Sequence, residues 1–421
     1  MQTKPCFWQF IVMSLMLLPA CEPAPRLPTS TTTPYPPLPT TPVPQPTPLA
    51  TQTKFAAPTS TMALSAGYQE NCLTVENSLP TGFLSDGEII LADNDPRKMG
   101  FTLSTLSAVD NTLRLLPDSK FDHVPYVSPD GKWLAHDIER TSDQGQPQEF
   151  LEIRSLDGLQ RRAIPWSKDW YGLSGWVDTE NIKLQLDPVN TIGVLNTSTG
   201  KMKKFDFSAP ELYVVRTGGI TLDPQLTRVV YQYNNVEEFT RWVLLDLQSK
   251  KELWRRDIGY QPWTTPDWTP DGTRFAVGLP TDVPDGFMEL YIVDRAGNEQ
   301  QATHLEKAGL QAEILQTRWS PDQRYIAFWL GNMLAVFDDA TGVTTNYCIH
   351  SRNSIGDDFY WSPDSKQLAL NYAYNKNEAD SESGRVVVVD LLKNEAIEIA
   401  TNSIVIGWMP SLASSNQPAY P

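Results

Sequence analysis

Histidines, cysteines and clustered acids build most catalytic and metal sites, and this 421-residue chain has only four histidines and four cysteines. His123, His136, His304 and His350 are scattered, with none of the paired spacing that zinc ligands need. Asp93-Asn94-Asp95 and Asp357-Asp358 are rich in oxygen ligands, but neither matches an EF-hand loop. The string Gly172-Leu173-Ser174-Gly175 lacks the Gly-x-Ser-x-Gly spacing of a hydrolase nucleophile elbow. The expectation is therefore no catalytic residue set, no metal and no cofactor. What the chain does have is aromatics beside acids. Trp166-Ser167-Lys168-Asp169-Trp170-Tyr171 and Tyr260-Gln261-Pro262-Trp263 are two such segments. With His123, His350, Asp357 and Asp358 they form a candidate binding set that could stack on and hydrogen-bond a glycan or peptide. The competing use of Trp166, Trp170 and Trp263 is to pack beneath their own loops.

The elements that must position these residues follow from composition and repetition. The formal net charge is −16, without a basic patch, so counterion release from nucleic acid would add no affinity. Cationic or neutral partners are expected instead. The repeated apolar runs of about 20 residues that a polytopic membrane protein needs are missing. Proline is abundant, at 34 residues.

Much of that proline lies near the start. Phe7 to Leu18 is an apolar run with Lys4 as the only charge before it, which is signal-peptide length. The run ends Leu18-Pro19-Ala20-Cys21, which resembles the bacterial lipobox. The resemblance implies cleavage after residue 20 and a diacylglycerol on the Cys21 thiol, hence a membrane lipid anchor and an extracytoplasmic address at the cell surface or in the periplasm. An ordinary secretory signal that happens to contain a cysteine is the alternative. Residues 21–61 then hold about a dozen prolines among many threonines. Proline fixes φ and removes backbone donors, so this stretch should be a disordered, extended tether with a reach on the order of 120 Å. It would act as a spacer, or as a mucin-like glycosylated segment.

Residues 62–412 are dominated by a repeat. Trp268-Thr269-Pro270-Asp271-Gly272, Trp319-Ser320-Pro321-Asp322-Gln323 and Trp361-Ser362-Pro363-Asp364-Ser365 are clear copies, and Val127-Ser128-Pro129-Asp130-Gly131 is a fourth. Each turn leads into a short strand with a small residue, namely Ala135, Ala276, Ala327 and Ala369. Weaker copies open at Leu84, Trp176 and Leu222, and Trp408 begins a truncated eighth. In each turn proline presets φ and glycine supplies the positive φ of a bulged hairpin. Gln323 and Ser365 stand in for that glycine, so their turns should be strained or differently shaped. Four short strands per copy with a period in the forties is the pattern of a propeller blade.

These copies resemble the TolB-like propeller repeat, whose consensus is Trp-Ser-Pro-Asp-Gly. Seven full copies plus a partial eighth predict an all-β, seven-bladed β-propeller of four-stranded antiparallel blades, with six or eight blades as alternatives. The strand from Ile404 to Trp408 would complete the first blade, and residues 413–421 would be a disordered tail. Only about twenty residues separate tether and first copy, too few for the extra N-terminal domain of TolB itself. In propellers the segments before each innermost strand open on one face, which would gather the aromatic segments, His123 and residues 350–358 there. Cys72 and Cys348 could form a disulfide or remain buried thiols. Their equal offsets from the next repeat suggest equivalent places in different blades, which would hold them apart.

The functional expectation is a membrane-anchored, monomeric lipoprotein whose propeller is a non-catalytic binding or scaffold module for a protein, peptide or glycan. The alternative is a propeller hydrolase or lyase acting on an extracellular sugar or lactone. Its discriminating feature would be convergence of His123, Asp357 and Asp358 at the channel mouth.

Overall fold

The computed structural model describes residues 67–410, apart from 94–99, 142–145, 187–190, 208–219, 235–239, 259–263, 282–286, 352–358 and 373–383. The signal, Cys21, the tether, the tail, Tyr260, Trp263, Asp357 and Asp358 all fall outside the described residues.

Seven antiparallel sheets account for the described chain, so the fold is an all-β seven-bladed propeller. The innermost strands of blades 2 to 7 are Tyr126–Val127, Gly172–Trp176, Thr221–Leu222, Asp267–Trp268, Ile314–Trp319 and Phe359–Trp361. The innermost strand of blade 1 comes from the other end of the chain. Ser403–Met409 pairs antiparallel with Glu88–Asp93, so the last strand closes the ring on the first blade. Closure lets blade 1 pack against both blade 2 and blade 7, so that the row of blades has no free end.

Blades 6 and 7 have five strands rather than four. Tyr68–Glu70 adds parallel to Val343–His350 on the outside of blade 6, and Val75–Glu76 adds parallel to Glu395–Thr401 on blade 7. The chain thus enters as a strap across two blades before turning into blade 1. These strands are too short to show alternation in the sequence. Cys72 lies between them and is disulfide-bonded to Cys348, with the two Cα atoms 4.8 Å apart. The equal-offset argument misplaces Cys72, because it sits on the strap and not on an outer blade strand.

The repeat residues hold the blades together in specific ways. In each clear copy the Ser or Thr hydroxyl of the turn donates to the turn aspartate, at 2.6 Å in Ser128–Asp130 and 2.7 Å in Thr269–Asp271. The acids of the repeat are thereby committed to their turns. Gln323 and Ser365 adopt φ of 63° and 64°, matching 64° at Gly272. Of the two expected outcomes, strain or a different shape, these turns show the first: they keep the glycine shape and carry the left-handed cost. The Asp322 amide donates to the Ser365 hydroxyl at 3.0 Å, which links those two turns.

The tryptophan before the turn joins one blade to the one before it. The Trp361 indole donates to the Arg318 carbonyl at 3.1 Å, and the Trp176 indole to the Tyr126 carbonyl at 3.0 Å. The small residue of the second strand is fully buried at Ala135, Ala276, Ala327 and Ala369. Each pairs across the ladder with the residue preceding the repeat tryptophan or its equivalent: Tyr126, Asp267, Arg318 and Tyr360. Apolar side chains fill the space between neighbouring sheets, as where Trp329 and Leu334 of blade 6 meet Phe359 and Leu370 of blade 7. Fully burying one such side chain contributes about 1.5–3 kcal/mol.

Candidate functional site

Because the innermost strands converge, the residue before each repeat tryptophan points toward the axis. All seven blades contribute to one central cavity of about 1060 Å³. The residues at this level are Tyr126, Gly175, Thr221, Asp267, Arg318, Tyr360 and Gly407, in ring order from blade 2. The repeat alone predicts nothing about their identity, since the strand and turn physics leaves that position unconstrained.

Blade 3 departs from this pattern. The position that is alanine in four blades is Lys183 here, on the strand Asn181–Gln185. Opposite it the ladder is bulged between Leu173 and Trp176, and Gly175 sits there with φ of 103°. A glycine across from the lysine, where other blades have Tyr126, Asp267 or Arg318, leaves room for the longer side chain. Lys183 reaches toward blade 4, where its ammonium donates to the Ile220 carbonyl at 3.0 Å. It is half-buried at the cavity wall, and desolvation there pushes its pKa from 10.5 down to about 8.

Three further charged residues, Asp178, Asp267 and Arg318, line the cavity wall. Asp267 is pushed up by burial, opposed by the Arg318 charge and by the Trp319 amide, which donates to its Oδ2 at 2.8 Å. Asp178 also lines the cavity, but its carboxylate already accepts from the Glu180 amide, the Asn181 amide and the Asn181 side chain at 2.7–2.8 Å. Asp178 is thus held by its own turn, and in formal charge Lys183 and Arg318 balance Asp178 and Asp267. Lys183 and Asp267 are the pair of titratable groups whose environments move their pKa values toward neutrality, a common property of functional sites.

The aromatic segments behave differently. Trp166 and Trp170 meet edge to face with ring centroids 5.3 Å apart, and the Trp166 indole donates to the Trp170 carbonyl at 3.0 Å. Both pack on the core between blades 2 and 3, beside Ile164 and Leu173. Tyr171 is 66% exposed. The histidines do not gather. His123 is largely exposed and 3.9 Å from Asp137 of its own blade. His350 lies on Val343–His350, far from the axis because that strand is the fourth from the centre of blade 6. It therefore does not join a channel cluster. His304 precedes a 3-10 turn, with its Nδ1 3.0 Å from the Gln301 amide. His136 is buried in blade 2, with its Nε2 3.1 Å from Glu152, and the edge of its ring meets Phe121. Burial lowers the His136 pKa more than Glu152 raises it. Among the described residues, no histidine lines the cavity and no group of three metal-ligating side chains is assembled.

Sequence reasoning found the loop aromatics but missed Lys183, Asp267 and Arg318. The signal was present in the register. Asp267 and Arg318 immediately precede the repeat tryptophans, and Lys183 breaks the alanine column.

No family model matches this chain, and no curated protein matches it. Among solved structures it is similar to TolB from Acinetobacter baumannii, with a TM-score of 0.42 and 16% identity over 73% of this chain and 77% of that one. It is also similar to a putative 6-phosphogluconolactonase from Bacteroides fragilis, with a TM-score of 0.45 and 13% identity over 77% and 98%. An oligogalacturonate lyase in complex with manganese aligns with a TM-score of 0.45 and 11% identity over 77% and 85%. The chain is a β-propeller, a fold that binding proteins and enzymes share.

Proposed function

We propose that this protein is a non-catalytic binding module that takes a peptide or glycan segment into its central channel. The observation that carries this reading is the cavity itself. Side chains from all seven blades line about 1060 Å³, and the described charged groups among them come from blades 3, 5 and 6. Such convergence gives one ligand many simultaneous contacts, which is how concave sites gain affinity and orientation. The exposed Tyr171 and the neighbouring Trp166–Trp170 pair belong to a more peripheral surface, suited to contacts with the rest of a bound partner.

In this reading Cys21 is lipidated and residues 21–61 hold the propeller away from an extracytoplasmic membrane surface. The alternative of a sugar or lactone hydrolase draws on one observation, the raised Asp267 carboxyl beside the Arg318 charge in the same cavity. The test is a glycan and peptide array with the full mature chain and with Thr265→Trp, which places an indole at an exposed channel position. Ligands that bind the wild type and lose at least tenfold in the variant support channel binding. Ligands unaffected by Thr265→Trp overturn it. Turnover of a bound sugar, abolished by Asp267→Asn, replaces the binding reading with the enzyme.

A further inference from the structure

From the channel reading a more specific conclusion follows about ligand chemistry. We infer that Lys183 is the recognition point for a carboxylate on the channel ligand, which would serve as the counter-charge that the described residues do not supply.

Three observations on the chain support this. First, the position is built for something other than packing. The equivalent residue is a buried alanine in blades 2, 5, 6 and 7, and valine occupies it in blade 4, where Thr221 pairs with Val230. A lysine here sacrifices the tight inter-blade packing that the repeat provides, and the bulge with Gly175 opposite makes the space. Second, the ammonium is short of partners. Of its three donors, one is used by the Ile220 carbonyl, and among the described residues no carboxylate lies within ion-pair distance of it. Desolvation lowers its pKa, and among the described residues no acid offsets that cost. An enclosed charge without a counter-ion is expensive and normally paired. Third, the remaining charges in the cavity do not fill that role. Asp178 is bound by three donors of its own turn, and Asp267 interacts with Arg318 and the Trp319 amide.

A bound carboxylate would give Lys183 a charge-assisted hydrogen bond in an enclosed site, where such bonds are strongest. A single lysine supplies one charge, which suits a monoanion better than a phosphate dianion. An acidic sugar and the carboxyl end of a peptide both offer that group.

The experiment is isothermal titration of the full mature chain with glucuronate, with N-acetyl-alanine, with their neutral counterparts glucose and N-acetyl-alanine amide, and with inorganic phosphate. Lys183→Met and Lys183→Arg are titrated alongside. At least one carboxylate should bind tenfold or more tightly than its neutral counterpart. Lys183→Met should abolish that preference, and Lys183→Arg should retain most of it. Which carboxylate binds separates the sugar from the peptide source. Because the free ammonium titrates near pH 8, binding should take up about half a proton at pH 8 and almost none at pH 6, read from titrations in two buffers of different ionisation enthalpy. A purely structural lysine would show no such proton uptake. Equal binding of acid and neutral forms, or unchanged acid binding in Lys183→Met, overturns the inference but leaves the channel reading in place. Preferential binding of phosphate overturns the carboxylate assignment. Absence of binding by any of these probes overturns the inference, and the array result decides the channel reading separately.

Discussion

Blades 3 and 6 face the same axis, the first with four strands and the second with a fifth added on its outside, but they resolve the crowding at that axis in opposite ways. Blade 6 keeps the Trp-Ser-Pro-Asp turn with Gln323 at the glycine position, and its innermost strand is bulged earlier, between Ile314 and Thr317. Arg318 lines the channel, Ala327 pairs with it, and the backbone at Trp319 is anchored by its contact with Asp267 of blade 5. Blade 3 has a turn without proline, a bulged innermost strand, Gly175 at the channel level, and Lys183 at the alanine position. The regular blade presents its functional side chain from the innermost strand and keeps the next strand thin. The degenerate blade leaves the innermost strand bare and sends the side chain from behind it. Loss of repeat character therefore need not mean loss of structure. It marks the place where a different side chain has been given access to the axis.

The comparison can be broken most decisively by transplanting the lysine. Ala327→Lys would bury an ammonium beside Arg318 without a glycine opposite it. We expect a loss of about 4 kcal/mol or more, read as unfolding at much lower urea or as failure to fold. If the variant is nearly as stable as wild type, the Gly175 bulge is not what accommodates Lys183.

The reverse substitution should have a smaller effect of opposite sign. Lys183→Met removes a charge whose folded pKa is about 8 against 10.5 when unfolded. Between those values the unfolded chain holds more protons, so wild-type stability rises with pH across this window. Below pH 8 the variant should be more stable than wild type by about 1–3 kcal/mol, and the gap should narrow as pH approaches 10.5. Urea unfolding at pH 7 and pH 10 measures both. A variant less stable than wild type at pH 7 would mean that the lysine is a structural post.

The turns offer a finer test of the regular blades. Gly272 has φ of 64°, and a Cβ there would come within 2.3 Å of the Gln225 side-chain oxygen. Gly272→Ala should cost about 1–2 kcal/mol, while Gln323→Gly should gain about 0.5–1 kcal/mol by relieving the left-handed strain. Equal and negligible effects at both positions would show that the turns adapt freely.

The smallest expected effect contrasts two buried titratable groups. His136 of blade 2 has a carboxylate partner in Glu152, whereas Lys183 has none among the described residues. The folded His136 pKa is depressed, so the unfolded chain binds its proton first as pH falls below about 6.5. Stability should decline modestly over that range, and His136→Gln should flatten the decline. An unchanged slope in the variant would assign the acid sensitivity elsewhere.

Most of the fold was legible in the chain because it depends on local physics repeated several times. The Ser-Pro-Asp-Gly turn, the preceding tryptophan and the following alanine each have one geometric solution, and repetition makes a coincidental match improbable. Ring closure by Ser403–Met409 was legible for the same reason, as Trp408 is a repeat tryptophan without a blade of its own. The strap was not legible. Tyr68–Glu70 and Val75–Glu76 owe their strand form to the exposed edges of blades 6 and 7 rather than to any pattern of their own.

The site divides along the same line. Sequence alone determined that aromatics at Trp166, Trp170 and Tyr171 sit on a loop before an innermost strand, because loop composition and repeat register are local. Only the tertiary structure decided that Trp166 and Trp170 pack on each other, that His350 ends on an outer strand, and that Cys72 meets Cys348 across 276 residues of chain. It also decided that Lys183, Asp267 and Arg318 share one cavity. Their separation in sequence is large and carries no periodic signal of its own. They meet only because seven blades close into a ring, and burial at its centre changes what each charge can do.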